Sequence, residues 1–321
     1  MKTEVIYQPI LEELHQVEKS LKSIAQVEFI SLRELLGHTL NSSGKRTRPA
    51  ITLLSSKFHA HDPTLPILMA TAVELLHLAS LIHDDTVDGA STRRGRPTIN
   101  SKWGDNIAVL LGDYAFAKSA TLVCDTNNVR VIRLFAQTIM SLSSGELKEQ
   151  FHAYDWTLTR QQYWDRIYDK TASLFTTAAE SGAILSGGSE PFIQSMRTYG
   201  EKLGMAFQIV DDILDFQGTE KKVGKPVGSD LIQGTLTLPS LLLMEHYPKD
   251  NSIKDIFQNR DREANLKKAI EMINDSSIIS EAYSIAARFC DEARELIKDL
   301  PENAYSRSLA ELSGYVLERN K

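Results

Sequence analysis

The chain has 321 residues, of which 42% are hydrophobic and 24% charged, as in an ordinary globular protein long enough to bury a large core. Its formal net charge of −6 argues against nucleic acid as the main partner, since such binding favours a basic face. The two cysteines, Cys124 and Cys290, have no metal-ligand spacing, which argues against a disulfide framework and fits a reducing compartment.

Apolar residues recur at helical spacing along almost the whole chain, and convincing strands with a period of two are absent. The clearest predicted helix spans Thr64 to Asp88, with Asp62 as its N-cap and Gly89 at its exit. A second strong helix is predicted from about Phe192 to Phe216. Further helices are predicted near 5–24, 28–40, 48–58, 105–123, 129–153, 160–186, 236–246, 262–274 and 277–298.

No linker rich in proline, glycine or serine divides the chain, so one all-α domain over residues 1–321 is predicted. The longest charge-free run, between Asp230 and Glu245, is too short to span a bilayer, and the first residues do not resemble a signal peptide. These features predict a soluble, cytoplasmic protein without a membrane span. The glycine-rich segment from Gly218 to Thr235 is predicted to be a long loop, which is typical of a functional or disordered segment.

Three aspartates, Asp84, Asp85 and Asp88, lie at the end of the first long predicted helix, where two effects disfavour negative charge. Asp84 and Asp88 repel each other one turn apart on the same face, and a helix C-terminus disfavours anions. A lone set of this kind is compatible with a solvated helix end. The same spacing recurs in "QIVDDILDFQG", at Asp211, Asp212 and Asp215. Two such helix ends facing each other would form a carboxylate cage, for which Mg²⁺ with a bound phosphate is the predicted occupant.

Cationic residues stand close to these aspartates in the sequence. "SGKRTRP" precedes a predicted helix, and Arg93 and Arg94 follow the first aspartates. Arginine suits bidentate contacts to phosphate, while lysine acts as a point charge. A basic run alone is typical of a solvated surface, and a helical histidine such as His77 is more often a core residue than a ligand. Taken together, however, the carboxylates and cations indicate a polyphosphate ligand and a second anionic ligand bound without metal.

The motifs "GKRTRP", "HLASLIHDDTVDGASTRRGRPT", "DKTASLF", "FQIVDDILDF" and "GKPVGSDL" follow one another along the chain. With them the sequence resembles the trans-isoprenyl diphosphate synthases of the polyprenyl synthetase family over nearly its whole length. The resemblance implies a single-domain, all-α bundle of roughly ten or more helices around a deep central cavity. It also implies a prenyltransferase that extends an allylic prenyl diphosphate with isopentenyl diphosphate by ionisation, condensation and elimination.

The resemblance further implies a role for individual residues. The expected metal ligands, for about three Mg²⁺ ions per active site with substrate bound, are Asp84, Asp85, Asp88, Asp211, Asp212 and Asp215. The residues expected at the allylic diphosphate are Arg93, Lys170, Thr171, Gln208 and Lys225. Those expected at isopentenyl diphosphate are Lys45, Arg48, His77 and Arg94. The expected catalytic residues are Asp84, Asp88, Arg93, Lys170, Asp211 and Lys225. The family often has a lysine where this chain has Thr235, so one cation is missing on the allylic side.

The residues one turn before Asp84 bear on product length. Ala79 and Ser80 are small, whereas the resemblance implies that short-chain enzymes often carry a bulky aromatic residue there. The pocket is therefore expected to continue past Leu76, and a product of about six to nine isoprene units (C30–C45) is predicted, each buried methylene contributing about 0.8 kcal/mol. The stretch "LASLIHDD" also resembles long-chain synthases, including heptaprenyl synthase catalytic subunits.

Alternatives remain open at this stage. A short-chain farnesyl or geranylgeranyl diphosphate synthase would need another helix to close the pocket. A protein of a different class, a non-catalytic or partner-dependent subunit, would be marked by degraded aspartate motifs, and both motifs here are complete. The resemblance implies a homodimer, and a heteromer with a small subunit stays possible beside it.

Overall fold

The computed structural model describes residues 3–41, 44–217, 227–250 and 252–318. Helices account for nearly all regular structure in these residues, as the periodicity predicts. The elements up to residue 151 are α1 (Thr3–Ile6), a 3₁₀ turn (Gln8–Ile10), α2 (Leu11–Ile24), α3 (Ile30–Leu40), α4 (Thr47–Ser55), α5 (Thr64–Val87), β1 (Thr92–Arg93), β2 (Arg96–Pro97), α6 (Ile99–Trp103), α7 (Asp105–Cys124) and α8 (Val129–Phe151).

The remaining elements follow from residue 160. They are α9 (Arg160–Ile167), a π-helical segment (Tyr168–Ala172), α10 (Ser173–Leu185), α11 (Glu190–Gln217), α12 (Ser229–Ile232), α13 (Leu238–His246), α14 (Ser252–Phe257), α15 (Arg262–Asp275), α16 (Ile278–Glu295) and α17 (Ala304–Glu318). The chain divides into two compact units. The first comprises Met1–Ile139, Leu174–Gly200 and Leu296–Leu312, and the second comprises Met140–Ser173, Glu201–Glu295 and Ser313–Lys321. The prediction of a single domain stays a prediction.

Helix α5 belongs to the core of the first unit, where it packs against α2, α4, α6 and α7. Leu75, Leu76 and Ala79 on this helix are at most 1% exposed. Helices α4 and α10 of this unit also pack closely, because Gly182 on α10 has no side chain. A Cβ atom on Gly182 would lie 2.2 Å from the carbonyl oxygen of Thr52 on α4. Because α5 packs against four other helices, it is apolar around most of its circumference.

The ends of α5 lie within one residue of those predicted, but the N-cap is Pro63 and not the predicted Asp62, which lies one residue earlier. The Asp62 carboxylate accepts hydrogen bonds from the backbone N–H (2.9 Å) and the hydroxyl (2.8 Å) of Thr64, so it satisfies donors of the first turn. At the other end Asp88 is the C-cap, and Gly89 follows with a positive φ of 61°. A glycine adopts this left-handed conformation without steric cost, which explains why the helix ends here.

In the second unit α13 packs against α9, α15 and α16. Tyr163 of α9 and Phe216 of α11 are among the largest fully buried side chains of the described residues. A buried tyrosine hydroxyl requires a hydrogen-bond partner, and the partner of Tyr163 is a site residue described below.

Some predicted elements differ from those observed. The helix predicted over 5–24 is broken by the 3₁₀ turn containing Pro9, which has no N–H to donate. The helix predicted over 160–186 contains the π-helical segment, and the described part of the predicted loop contains α12. Helices α6, α14 and α17 were not predicted. The first two span only one or two turns, whereas α17 has an apolar stripe that the prediction overlooked.

Two helices, α5 and α7, are long and apolar enough to cross a membrane by length and composition. In their most apolar windows 67% and 33% of the residues, respectively, are buried within the protein. Core helices of soluble proteins pass the same test, so the absence of a membrane span stays a prediction.

Candidate active site

The first aspartate cluster lies at the end of α5 in the first unit. The backbone N–H of Asp88 donates to the carbonyl oxygen of Asp84 at 2.8 Å, so helical geometry continues through the cluster. Asp84 and Asp88 are half-buried, whereas Asp85 is 7% exposed. The i, i+4 spacing therefore places two partly accessible carboxylates one turn apart and turns the third inward.

The inward carboxylate has a protein partner. The guanidinium Nε of Arg93 donates to Asp85 Oδ1 at 2.7 Å, and the Arg93 side chain is 33% exposed. Because a buried carboxylate needs a compensating charge, this ion pair stabilises the end of α5. It also fixes the position of Arg93, which the family resemblance predicts to bind the allylic diphosphate.

A two-residue hairpin carries Arg93 and Arg94 past the end of α5. Strand β1 pairs antiparallel with β2, with Arg93 opposite Arg96. The turn residues Arg94 and Gly95 have positive φ angles of 51° and 74°, as a type I′ turn requires. Arginine rarely adopts such a conformation, and residues held in it concentrate at functional sites.

Arg94 lies against the loop that precedes α4. A Cβ atom built on Gly44 would lie 3.4 Å from Arg94 Nη1, so the two segments are in close contact. The neighbouring Arg46 also has a positive φ, of 49°, and pairs with the buried Glu74 at 2.7 Å and with Glu18. Arg46 was not predicted to be a site residue, and these two ion pairs make it an anchor that holds the basic loop in place.

The other residues predicted to bind isopentenyl diphosphate belong to the same unit. Lys45 is exposed in the loop, and the Arg48 guanidinium stacks 4.6 Å from the centre of the Phe175 ring. His77 is half-buried on α5. Burial and the charges of Arg48 and Arg94 hold the pKa of His77 well below its usual value. The imidazole is therefore neutral at physiological pH and can donate to an anion through one ring nitrogen.

We expect His77 to make the stability of the protein pH-dependent. The unfolded chain protonates His77 below its usual pKa of about 6.5, whereas the folded protein resists this proton. The free energy of unfolding contributed by this group is therefore fully present above about pH 6.5 and falls as the pH drops below it. Urea denaturation at about pH 5.5 and 7.5 should show a smaller pH effect for His77→Gln than for the wild type.

The matched control is His15→Gln, which removes an exposed imidazole from the same unit. If both variants respond to pH alike, the depressed pKa of His77 does not contribute to stability.

The residues predicted to control chain length lie along α5. Leu76 and Ala79 are fully buried, and Ser80 is half-buried with its hydroxyl donating to the His77 carbonyl oxygen at 2.9 Å. Because this hydrogen bond remains within the helix, Ser80 places no demand on a neighbouring element. A larger side chain at position 80 would extend outward from this half-buried face of the helix.

The second aspartate cluster lies on α11 in the second unit. Asp211 is exposed, whereas Asp212 and Asp215 are 2% and 7% exposed. Asp212 accepts hydrogen bonds from Tyr163 Oη at 2.6 Å and Gln208 Nε2 at 2.8 Å. Burial raises the pKa of Asp212 to about 7, although both hydrogen bonds oppose this rise.

Asp215 has a structural contact of its own. Its carboxylate accepts hydrogen bonds from the hydroxyl (2.6 Å) and N–H (3.2 Å) of Ser229 and from the N–H of Asp230 (3.2 Å). These donors belong to the first turn of α12, so the Asp215 carboxylate anchors this short helix, which lies within the predicted loop, to the end of α11. Thr235 follows α12, with its N–H on the Asp230 carbonyl oxygen at 2.8 Å. Lys225, predicted on the allylic side, lies outside the described residues.

Lys170 and Thr171 lie on the π-helical segment, and such segments are frequent at functional sites. Thr171 Oγ1 donates to Gln208 Oε1 at 2.6 Å, which links this segment to Asp212 through the Gln208 amide. Lys170 Nζ lies 2.8 Å from Glu146 Oε2 and also pairs with Glu149. Neither these glutamates nor Tyr163 was predicted to be a site residue. The i, i+3 spacing of the glutamates was the only signal, and it is typical of a solvated helix face.

The chemistry of these donors fits magnesium. Among the residues that the structure describes, no three His, Cys, Asp or Glu side chains form a group that could hold a metal by themselves. Mg²⁺ usually binds one or two carboxylates and completes its shell with water and substrate phosphate. The accessible pair Asp84 and Asp88 in the first unit, and separately the exposed Asp211 in the second, each supply that number of carboxylates.

A sequence profile of the family described as "Polyprenyl synthetase" matches residues 30–273. The chain belongs to the polyprenyl synthetase family. It is 37% identical, over 320 residues and 100% of both chains, to heptaprenyl diphosphate synthase component 2 of Geobacillus stearothermophilus. It is also similar to the crystal structure of heptaprenyl diphosphate synthase from Staphylococcus aureus, with a TM-score of 0.92 and 35% identity over 97% of this chain and 98% of that one.

A third polyprenyl synthetase relative was solved with ligands. The structure of polyprenyl synthase from Caulobacter crescentus CB15, complexed with calcium and isoprenyl diphosphate, has a TM-score of 0.94 and 29% identity over 100% of this chain and 98% of that one. The predictions of an all-α isoprenoid synthase fold, of the family and of a prenyltransferase are thereby confirmed. The roles of individual residues stay predictions.

Proposed function

We propose that this polyprenyl synthetase is a Mg²⁺-dependent enzyme that condenses isopentenyl diphosphate with an allylic prenyl diphosphate to make a long trans-polyprenyl diphosphate, of about C30–C45. The observation that carries the proposal is the end of α5. There two accessible aspartates, Asp84 and Asp88, lie about one and two turns beyond the small residues Ala79 and Ser80. One helix thus combines two accessible carboxylates at its end with a buried flank of small and apolar residues, which supports the proposed tail pocket.

Isopentenyl diphosphate is proposed to bind in the first unit without metal. Three cations, Lys45, Arg48 and Arg94, and the neutral His77 supply donors for its two phosphates. The left-handed backbone of Arg94 and its contact with Gly44 support this role, because they hold its guanidinium beside the loop. A terpene cyclase would not need a second set of cations, so these residues favour a condensing enzyme.

The allylic diphosphate is proposed to leave with help from Mg²⁺ and from side chains assigned to it by the resemblance. Bound Mg²⁺ would supply positive charge that stabilises the departing diphosphate. The residues proposed to hold it are Asp84, Asp85 and Asp88 of the first unit and Asp211, Asp212 and Asp215 of the second. Three of them, Asp85, Asp212 and Asp215, also accept the hydrogen bonds described above. About three ions per active site are proposed.

Other side chains are proposed to prepare the leaving group and protect the cation. Lys170 is held in place by Glu146 and Glu149, so its ammonium needs little reorganisation when charge develops on the diphosphate. The double bond of isopentenyl diphosphate then attacks the allylic carbon, and a proton leaves the adduct. The apolar flank of α5 excludes water that would quench the cation. The released diphosphate is proposed as the base, as the resemblance implies.

The quaternary state is proposed to be a homodimer, with a heteromer as the alternative. The Geobacillus stearothermophilus relative is named as component 2 of its synthase, which supports testing a partner subunit. A cytoplasmic location is part of the same proposal.

The decisive experiment is a product assay. Purified protein is incubated with Mg²⁺, isopentenyl diphosphate and farnesyl diphosphate, and the dephosphorylated products are sized by reversed-phase chromatography. Products of about thirty carbons or more support the proposed pocket, and a stop at about fifteen or twenty carbons refutes it. No elongation by the protein alone would contradict the homodimer and direct the search to a partner subunit.

A substitution at Ser80 tests the proposed tail pocket beside α5. Ser80→Phe should shorten the main product by several isoprene units, because an aromatic ring one turn from Asp84 would block the path past Leu76. Ser80→Ala is the matched control, since it removes the same hydrogen bond to His77 without adding volume. The same assay measures both variants. If Ser80→Phe makes wild-type products, the chain does not run along this face of α5.

A further inference from the structure

The first unit contains a cavity that the proposed reaction does not use. It has a volume of about 400 Å³, within the range of small-molecule sites, and is formed by α8, α10 and α11. Its lining residues are Val129, Arg130, Arg133, Leu134, Gln137, Glu180 and Arg197. None of them belongs to the aspartate clusters or to the basic loop.

A buried carboxylate lies in the wall of this cavity. Glu180 is 7% exposed, and its Oε2 atom has no hydrogen-bond donor among the residues that the structure describes. The nearest cations are Arg130 Nη2, 3.9 Å from Oε1, and Arg197 Nε, 3.8 Å from Oε2, which are beyond hydrogen-bond distance. Burial raises the pKa of Glu180 against the charges of both arginines. An unmet acceptor of this kind is costly unless a ligand supplies the donor.

The cations around Glu180 outnumber the anions. Arg130 is occupied by Glu190, with Nη2 3.0 Å from Oε2 and a second contact through Nη1. Arg133 and Arg197 are exposed, and Arg133 forms no ion pair with any described residue. Three arginines against two glutamates leave one positive charge in excess, so the cavity attracts an anion.

We propose that this cavity binds a small hydroxylated anion, of the phosphate monoester or hydroxy acid class. Arg133 and Arg197 bind its anionic group, since guanidinium forks match both phosphate and carboxylate. Its hydroxyl donates to Glu180, and its carbon skeleton contacts Val129 and Leu134. This binding site is separate from the proposed prenyl transfer and does not depend on it.

Calorimetric titration of the full chain tests the proposal, with glycerol 1-phosphate, malate and sulfate as probes. Glycerol 1-phosphate or malate should bind the wild type at least tenfold more tightly than Arg133→Gln/Arg197→Gln, and whichever binds identifies the class. Sulfate has the charge but no donor, so it should bind more weakly. Glu180→Gln removes one negative charge from the cavity, so sulfate should bind at least as tightly as it binds the wild type, whereas the hydroxylated probe should lose affinity relative to sulfate several-fold.

The matched control is Arg288→Gln/Arg307→Gln, which removes two exposed arginines elsewhere and should bind like the wild type. Anion binding at the diphosphate-binding residues is common to all variants and cancels in the comparison. Thermal unfolding checks that each variant is folded, and Arg133→Gln alone serves if the double variant is not. Equal affinity of the wild type and the cavity variants, or equal binding of sulfate and both hydroxylated probes, overturns the proposal.

Discussion

Asp84→Asn is expected to lower kcat/KM for elongation by about a thousandfold, the equivalent of about 4 kcal/mol in transition-state stabilisation. Asp84 is one of the two accessible carboxylates at the end of α5, and an amide is a poor ligand for a hard cation. The free energy of unfolding should stay constant or rise by a few tenths of a kcal/mol, because the substitution removes repulsion from Asp88 and an anion from the helix C-terminus. Steady-state kinetics and urea denaturation measure the two quantities.

The combination of lost activity with unchanged or higher stability identifies a functional carboxylate. Asp299→Asn is the matched control, since it makes the same chemical change at an exposed position of the first unit. It should change neither quantity. A variant of Asp84 that keeps at least a tenth of the wild-type activity would show that this carboxylate does not bind metal during the reaction.

Gly145→Ala is expected to destabilise the protein by about 2–4 kcal/mol and to lower activity at least tenfold. A Cβ atom at position 145 would lie 2.6 Å from the backbone nitrogen of Lys170 and 3.0 Å from its Cα. Backbone atoms cannot rotate away as a flexible side chain can, so α8 and the π-helical segment must separate. Such a shift would move the Lys170 ammonium away from Glu146, which lies on the same helix as the substituted glycine.

The control for this prediction is a glycine substitution that is expected to raise the stability of the protein. Gly37 also lies inside a helix, α3, but a Cβ atom there meets nothing closer than 4.0 Å. Gly37→Ala should therefore stabilise the protein by up to about 1 kcal/mol through helix propensity. Chemical denaturation of both variants, with the product assay, separates the two effects. If Gly145→Ala is as stable as the wild type, the contact between α8 and Lys170 does not constrain the segment.

Local patterns predicted the features that depend on neighbours within a helical turn. The limits of α5 followed from Asp62, Gly89 and the apolar period between them, because caps and periodicity act over a few residues. The paired orientation of Asp84 and Asp88 followed from their spacing alone. The order of the motifs was also sufficient to identify the family, which the comparisons confirm.

Tertiary structure decided which charged groups have protein partners. Asp212 directly follows the exposed Asp211 in its motif, and only packing brings the Tyr163 hydroxyl, 49 residues away, within 2.6 Å of the Asp212 carboxylate. The hydrogen bond from Ser229 to Asp215 and the position of Glu180 in its cavity likewise could not be predicted from the sequence. Burial and long-range hydrogen bonding depend on how distant segments pack, and no spacing rule along a single chain encodes that proximity.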